Sequence, residues 1–486
     1  MKKKNSLVNA IQSHDVLTTN GAVSHSTSGT SVLDFFGKAA AMRGSSEQDV
    51  INSFSLAYRE DKTLALKALF YLADVRGGQG ERRLFRVAYN WLAKNDATVA
   101  KKLLKYIPEY TRFDNVLETL ENTALEGDAL SFLAKQLKAD AKAETPTLAA
   151  KWSPSEQASS NVTRRLAFKL REKMKLSPKA YRKLLSGLRA KIGVVERQMC
   201  AGDWKKINFS HVPSKAALLY KKAFNAHTPD LYSKFLTKVE KGEVTINAST
   251  LYPYDVVAQV MSKSGNELRT LEAQWKALPN YLEANPHNGL VVADVSGSMD
   301  SGTGSVRPVD VATSLAIYFA ERNVGAFNGN FMIFSRDAKL LSIGAGSLQD
   351  KVRMVHKNRE VANTNLQSVF DLILEKGVKY KVPQVEMPTV LYVISDMQFD
   401  AACEGGTNFE AIKVKYKAAG YKIPTIVFWN VNAHADTPVK FDEKGVCLVS
   451  GCSPSILKTA ISGKVVTPYK LMLDVLGAER YEPITA

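Results

Sequence analysis

The stretch that most restricts the fold is Gly289-Leu-Val-Val-Ala-Asp-Val-Ser-Gly-Ser-Met299. An apolar run as short as Leu290–Ala293, closed by small polar residues, reads as a strand buried on both faces. Such strands belong in parallel sheets covered by helices. Asp294, Ser296 and Ser298 follow at its end. One carboxylate and two hydroxyls are thereby delivered to the C-terminal edge of a sheet, where open α/β folds bind ligands. Hard oxygen donors in this grouping suit Mg2+ or Mn2+. Two more oxygen sources lie downstream. Thr364 sits in Asn363-Thr364-Asn365 ahead of the helix-like run Leu366–Leu374, and Asp396 ends the apolar segment Thr389-Val-Leu-Tyr-Val-Ile-Ser-Asp396. Each segment alone also reads as a strand end followed by a helix N-cap. All three in this order, each beside the right element, point to one cation held by Asp294, Ser296, Ser298, Thr364 and Asp396. A phosphotransfer nucleophile at Asp294 is disfavoured, because the haloacid-dehalogenase pattern has a second Asp where Ser296 stands.

With 486 residues the chain is long enough for two or three domains. After Asn285-Pro-His-Asn288, strand and helix runs alternate: Leu290–Asp294, Val309–Arg322, Asn330–Phe334, Asn365–Glu375, Thr389–Asp396, Phe409–Ala419, Pro424–Asn430, Val446–Ser450 and Pro454–Ile461. This alternation predicts a doubly wound α/β domain over 286–486. Residues 31–285 carry helical periodicity instead, as in Thr63–Ala73, Arg83–Leu92, Arg164–Met174 and Tyr181–Val195. Short helices joined by short turns predict a HEAT-like α-helical repeat, either a solenoid or a ring. The expected fold class is therefore α followed by α/β. Residues 1–30 end in the small polar run Ser24–Thr30 and read as a disordered arm. The glycine-rich turn Arg76-Gly-Gly-Gln-Gly80 lacks Gly-Lys-Ser/Thr and follows a helix, so it reads as a helix C-cap. Contact of Arg76, Arg82 and Arg83 with phosphate is the weaker alternative.

Lys and Arg number 65 against 48 acids, a net charge of +17. The excess is concentrated: residues 161–240 contain nineteen Lys/Arg and five acids. A basic segment of this kind is the electrostatic footprint of a polyanion, although solvated helix faces have the same composition. Arg164, Arg165, Arg171, Arg182, Lys183, Lys205, Lys206, Lys221 and Lys222 are candidate phosphate contacts. Trp204, set among charges, is the aromatic singled out for base stacking. Phe168, Tyr181, Phe209, Tyr220 and Phe224 share that region and more readily read as core. No apolar run approaches the ~20 residues of a membrane span, and no secretory h-region follows Met1-Lys-Lys-Lys4. Cys200, Cys403, Cys447 and Cys452 form no Cys-x-x-Cys pair and read as reduced thiols of a cytoplasmic protein. No nucleophile–base pair, nucleotide loop or zinc cluster is evident, so a non-enzyme is expected.

The C-terminal half resembles a von Willebrand A domain, whose metal-ion-dependent adhesion site Asp294, Ser296, Ser298, Thr364 and Asp396 match one by one. That resemblance implies direct bonds to the ion from the three hydroxyls and one open position for an acidic side chain of a protein partner. The Asn-Thr-Asn loop departs from the pattern, in which glycines commonly precede the Thr. The whole chain resembles the family designated domain of unknown function 2828, through Leu33-Asp-Phe-Phe36, Leu64–Lys67, Val75-Arg-Gly-Gly-Gln-Gly-Glu-Arg82, Tyr252–Val257, Asp294–Met299, Ser395-Asp-Met-Gln-Phe-Asp400, Ile426–Asn430 and Val446–Gly451. The order of domains is similar to the Ro (TROVE) ribonucleoprotein architecture, which implies structured small RNAs or single-stranded RNA ends as partners. The expected function is RNA binding by the basic helices with a metal-dependent domain contacting partners. The alternative is a metal-dependent protein interaction platform without specific RNA.

Overall fold

A computed structural model describes residues 15–283, 288–301, 306–360, 362, 364–401, 408–432, 434, 436–458 and 466–486. The expected boundary at 285/286, residues 1–14 of the expected arm, Asn363 and Cys403 lie outside the described residues. From Ser31 to Lys276 the described chain is helical, in α-helices from four residues to the seventeen of Glu126–Lys142 and short 3-10 turns between them. Local chemistry sets the starts. The side chains of Ser46, Asp61, Ser160 and Ser177 each accept a backbone N–H of the first turn of the helices Glu47–Glu60, Lys62–Ala73, Asn161–Met174 and Pro178–Lys191. Pro178 stands at a first-turn position, where its missing N–H costs nothing.

Two apolar cores organise these helices. The larger runs from the helices between residues 31 and 192 into the sheet and the C-terminal helix Pro468–Leu476. A smaller one joins Val195, Ile207, Val212, Phe224, Tyr232, Phe235, Leu236 and Ile246. The two ends of the helical array meet. Arg43 pairs with Glu81 and donates to the Tyr254 hydroxyl at 3.4 Å. Gly80, at φ +66°, leaves room for the Tyr252 hydroxyl that a Cβ would strike.

The disordered-arm expectation needs correction from Asp15 onward. Residues Asp15–Leu17 (β1) and Val23–His25 (β2) form an antiparallel hairpin. It bridges to the rest of the chain at Gly21–Asp400 and His25–Thr437. Its small polar residues donate to backbone: Thr18 Oγ1 to Phe399 O at 2.6 Å and Ser24 Oγ to Thr437 O at 2.8 Å. Low hydrophobicity here reflects hydrogen bonding, not disorder.

The C-terminal part holds a six-stranded sheet: β3 (Gly289–Asp294), β4 (Asn330–Phe334), β5 (Ala338–Ser342), β6 (Val390–Ser395), β7 (Thr425–Asn430) and β8 (Val446–Ser450), in spatial order β5-β4-β3-β6-β7-β8. All pairings are parallel except β4–β5. Every residue of β3, β6 and β8 is buried, as their unbroken apolar runs predict. β5 is absent from the sequence reading, because an edge strand with Lys339 and Leu340 exposed or half-exposed lacks that signature. Helix Pro308–Arg322 packs on β3, and Ser31–Lys38 packs on β8. The expected boundary is therefore crossed: the first helix assigned to the helical repeat covers the sheet. No helix among the described residues is long and apolar enough to cross a membrane.

The glycine-rich turn is an internal clasp. Asp74, fully buried, takes the Arg76 backbone N–H at 3.0 Å, Arg480 through Nε and through Nη2 at 2.8 Å, and the Tyr481 hydroxyl at 3.0 Å. A Cβ on Gly78 would run into the Tyr71 carbonyl. Gln79 donates to Tyr71 and accepts from Ser453 N–H, tying the turn to the segment after β8. Arg83 is engaged by the carbonyls of Arg43 and Ser45. Removing one partner of such a buried pair leaves an uncompensated charge. Arg480→Ala is expected to lower the unfolding free energy by about 3 kcal/mol in urea denaturation; a loss below ~1 kcal/mol would show that the clasp does not hold the C-terminus to the helices.

Candidate metal centre and basic helical face

The strand order reverses between β3 and β6, and the crevice outside such a point is where open α/β sheets take ligands. Asp294 ends β3, and Asp396 follows Ser395, the last residue of β6. Both carboxylates are buried to within 1 %. Asp294 Oδ1 accepts the Ser296 N–H at 2.9 Å, and Oδ2 accepts the Ser395 hydroxyl at 2.6 Å. Asp396 Oδ1 accepts the Gln398 N–H at 3.2 Å. Its Oδ2 is buried with no donor in hydrogen-bonding range among the described residues; His434 Nε2 lies 3.8 Å away.

The two hydroxyls of the first loop face each other, Ser296 Oγ and Ser298 Oγ being 3.2 Å apart. Thr364, also buried, comes from a second loop, which the Asn365 N–H anchors to Ser335 O at 2.9 Å. Asp400 N–H donates to Thr364 O, also at 2.9 Å. The loops carrying the threonine and the second aspartate are thereby joined. Arg359 fixes the first loop: it donates to Val295 O at 2.8 Å and Ser296 O at 3.1 Å, and grips Asp300 through two nitrogens. That grip holds the Asp300 carboxyl below the ordinary carboxylate range.

Electrostatics make the centre one-sided. Burial, and then the charge of Asp396, raise the Asp294 carboxyl above the usual carboxylate range. The carboxylate of Asp396 raises the His434 imidazole in turn. An unused oxygen beside a second buried acid favours a proton, a water or a cation between them. The donor set is two carboxylates and three hydroxyls, all hard oxygen, which fits Mg2+ or Mn2+ and suits a soft metal poorly. All five residues named from the sequence lie in the three loops at this edge.

Sequence reading missed the N-terminal contribution to the same edge. Asn20 Nδ2 donates to Gln398 O at 2.7 Å and lies 3.3 Å from Thr364 Oγ1. The signal was present, because Asn20-Gly21 between Val16-Leu17 and Ala22-Val23 is a hairpin turn sequence. Arg359 and Gln398 carried no such signal; a lone Arg or Gln in a loop announces nothing.

The basic residues divide. Arg164, Lys183, Lys205 and Lys222 are exposed. Arg165 pairs with Glu121, Arg182 lies 3.6 Å from Glu156, and Lys206 pairs with Asp203. Arg171 is largely buried against Glu156 and also meets Glu172. Lys221 is a correction: it is 4 % exposed, and its ammonium donates to Leu218 O at 2.8 Å and Gln259 Oε1 at 2.6 Å. It neutralises no phosphate from there. Trp204 lies parallel to His227 with ring centroids 3.9 Å apart, so one of its faces is already covered. Phe209, Tyr220 and Phe224 pack in or against the smaller core, as the core reading of those aromatics expects.

Comparison with known proteins places these observations in a family. The description "domain of unknown function (DUF2828)" matches residues 18–111 and 123–286, and "domain of unknown function (DUF7788)" matches 288–475. Uncharacterized protein L728 of Acanthamoeba polyphaga mimivirus is 30% identical over 511 residues, spanning 96% of this chain and 88% of the relative. Among solved structures, the Ro (RSR) protein of Deinococcus radiodurans aligns over 92% of this chain and 93% of its own, with 14% identity and a TM-score of 0.34. On the family match across more than half its length and the near full-length viral relative, the chain belongs to the DUF2828 family.

Proposed function

We propose that this protein is a non-catalytic binding protein that holds a divalent cation at the C-terminal edge of its sheet and uses it to capture an acidic group of a protein partner. The carrying observation is that the buried Asp294 and Asp396 close neighbouring parallel strands, with Ser296 Oγ and Ser298 Oγ 3.2 Å apart on the first loop and buried Thr364 on a loop tied to Asp400. The strand order and these five residues support a von Willebrand A-like reading of the domain. Asp294, Asp396, Ser296, Ser298 and Thr364 would hold Mg2+ or Mn2+. The ion supplies a hard Lewis acid with a position open to a carboxylate. Arg359 keeps the first loop in shape whether or not the ion is present, since its bonds go to backbone and to Asp300.

A second reading adds RNA. Its support is the exposed cations Arg164, Lys183, Lys205 and Lys222, for which no acid lies in ion-pairing range among the described residues. Such groups neutralise phosphates and release counterions. The ring or solenoid form of the helices and a cytoplasmic setting belong to the same proposal.

Two measurements test these readings. Protons compete with a cation for Asp294, whose raised pKa means the folded chain takes up a proton more readily than the unfolded one. Mn2+ affinity by calorimetry is therefore expected to fall at least ~10-fold from about pH 8 to about pH 5.5. The metal-free chain is expected to gain stability over the same descent. Flat Mn2+ affinity, or none that Asp294→Ala removes, rejects the cation site. For RNA, fluorescence anisotropy with a structured RNA bearing a single-stranded end is titrated with salt. Joint Arg164→Glu, Lys183→Glu, Lys205→Glu and Lys222→Glu is expected to reduce the slope of log K against log salt by about 3. An unchanged slope and affinity reject RNA binding by these helices.

A further inference from the structure

The N-terminal hairpin reaches the metal edge with its turn, not its strands. Thr18 N–H donates to Ala22 O at 2.8 Å, and Gly21 N–H to Thr18 O at 3.0 Å, with Gly21 at φ +88°. The turn Thr18–Gly21 thus has the form of a tight loop closed by a left-handed glycine. Each of its residues contacts the loop that begins at Asp396. Thr18 Oγ1 donates to Phe399 O at 2.6 Å. Thr19 donates to Gln398 Oε1 twice, from its N–H at 2.7 Å and its hydroxyl at 2.6 Å. Asn20 Nδ2 donates to Gln398 O at 2.7 Å and approaches Thr364 Oγ1 at 3.3 Å. Gly21 pairs with Asp400.

Gln398 is the junction. Its backbone N–H is the donor to Asp396 Oδ1, and its side chain, buried, donates onward to Asp436 Oδ1 at 3.0 Å. Thr19 saturates the single oxygen of that side chain. The contacts therefore run from the turn through Gln398 to one carboxylate of the centre, and through Asn20 to its threonine hydroxyl. An amide N–H at Thr364 Oγ1 occupies one lone pair and leaves the other for an ion. Groups that orient ligands in this manner tune metal affinity as strongly as many ligands do.

We propose that the Thr18–Gly21 turn is the fourth wall of the cation site and that Asn20 is a positioning residue for Thr364 and for the Asp396 loop. The inference rests on the cation reading above, and it adds to it the amino-terminal segment, which supplies no ligand of its own. Asn20 is exposed at the turn, so replacing it leaves the core untouched.

The experiment uses the full chain and Mn2+ alone, followed by calorimetry and by the electron paramagnetic resonance of free Mn2+. Asn20→Ala is expected to weaken Mn2+ binding about 10-fold, with the unfolding midpoint of the chelator-treated protein unchanged. Asn20→Asp, whose carboxylate can donate neither to Gln398 O nor to Thr364 Oγ1, is expected to weaken binding as well. Unchanged affinity in both variants overturns the proposal while wild-type binding that Asp294→Ala abolishes keeps the cation site. Tighter binding in Asn20→Ala also overturns it, since the turn would then obstruct the ion. A wild-type chain that binds no Mn2+ overturns the cation reading and this proposal with it.

Discussion

Two carboxylates, Asp294 and Asp396, are buried at the ends of neighbouring parallel strands, and the arrangement of the C-terminal half follows from accommodating them. Burying like charges side by side is costly unless each oxygen is satisfied. Three are: by Ser296 N–H, by the Ser395 hydroxyl and by Gln398 N–H. The fourth, Asp396 Oδ2, finds no donor among the described residues. The loops around the pair are correspondingly over-determined. Arg359 holds the first, Ser335 and Asp400 hold the second, and the amino-terminal turn holds the third. A site built so firmly around an unsatisfied anionic oxygen suits the cation proposed for it, because little reorganisation would accompany the ion's arrival.

The same principle governs the joint between the helical and sheet parts. Neither end of the described chain stays with its sequence neighbours. The hairpin Asp15–His25 lies on the sheet edge, and Arg480 and Tyr481 return to Asp74 in the helices. A further contact joins Trp275 to Glu321 at 2.7 Å, with Lys351 on the other oxygen of that glutamate at 2.8 Å. These joints are polar and largely buried, so each fixes orientation more than it adds hydrophobic stabilisation. Loosening the helical array would thus strain the helices that cover β3 and β8 as well.

What the sequence disclosed follows the strength of its local signals. β3, β6, β7 and β8 are unbroken apolar runs, and Asp294, Ser296, Ser298 and Asp396 sit just at or after the ends of β3 and β6, so the strands and these candidate ligands were legible; Thr364 follows no strand and was legible from its place ahead of a helix. β5 was not, because one buried residue, Leu341, does not make a pattern. The Asn20-Gly21 turn was a local signal, but the docking of the hairpin was not legible, because it comes from hydroxyls and amides bonded to residues nearly four hundred positions away. Thr18 and Ser24 look like linker residues until the carbonyls of Phe399 and Thr437 are beside them. The charge count failed differently. It tallies every Lys alike, and cannot see that Lys221 turns inward to Leu218 O and Gln259.

That last failure bears on how the two binding readings relate. The cation site and the basic helices use opposite physics. Exposed arginines and lysines act on a polyanion through counterion release, which salt suppresses within a Debye length of about 8 Å at physiological ionic strength. The centre at Asp294 and Asp396 lies out of water, where screening is weak. Two carboxylates there would repel a third unless a dication offset both charges; with the proposed ion in place, an incoming acid would meet a neutral, polarising group. Salt would therefore act on one surface and chelation on the other. The +17 net charge of the chain would draw an acidic partner toward either surface, yet only a site without net negative charge of its own would retain one at the sheet edge.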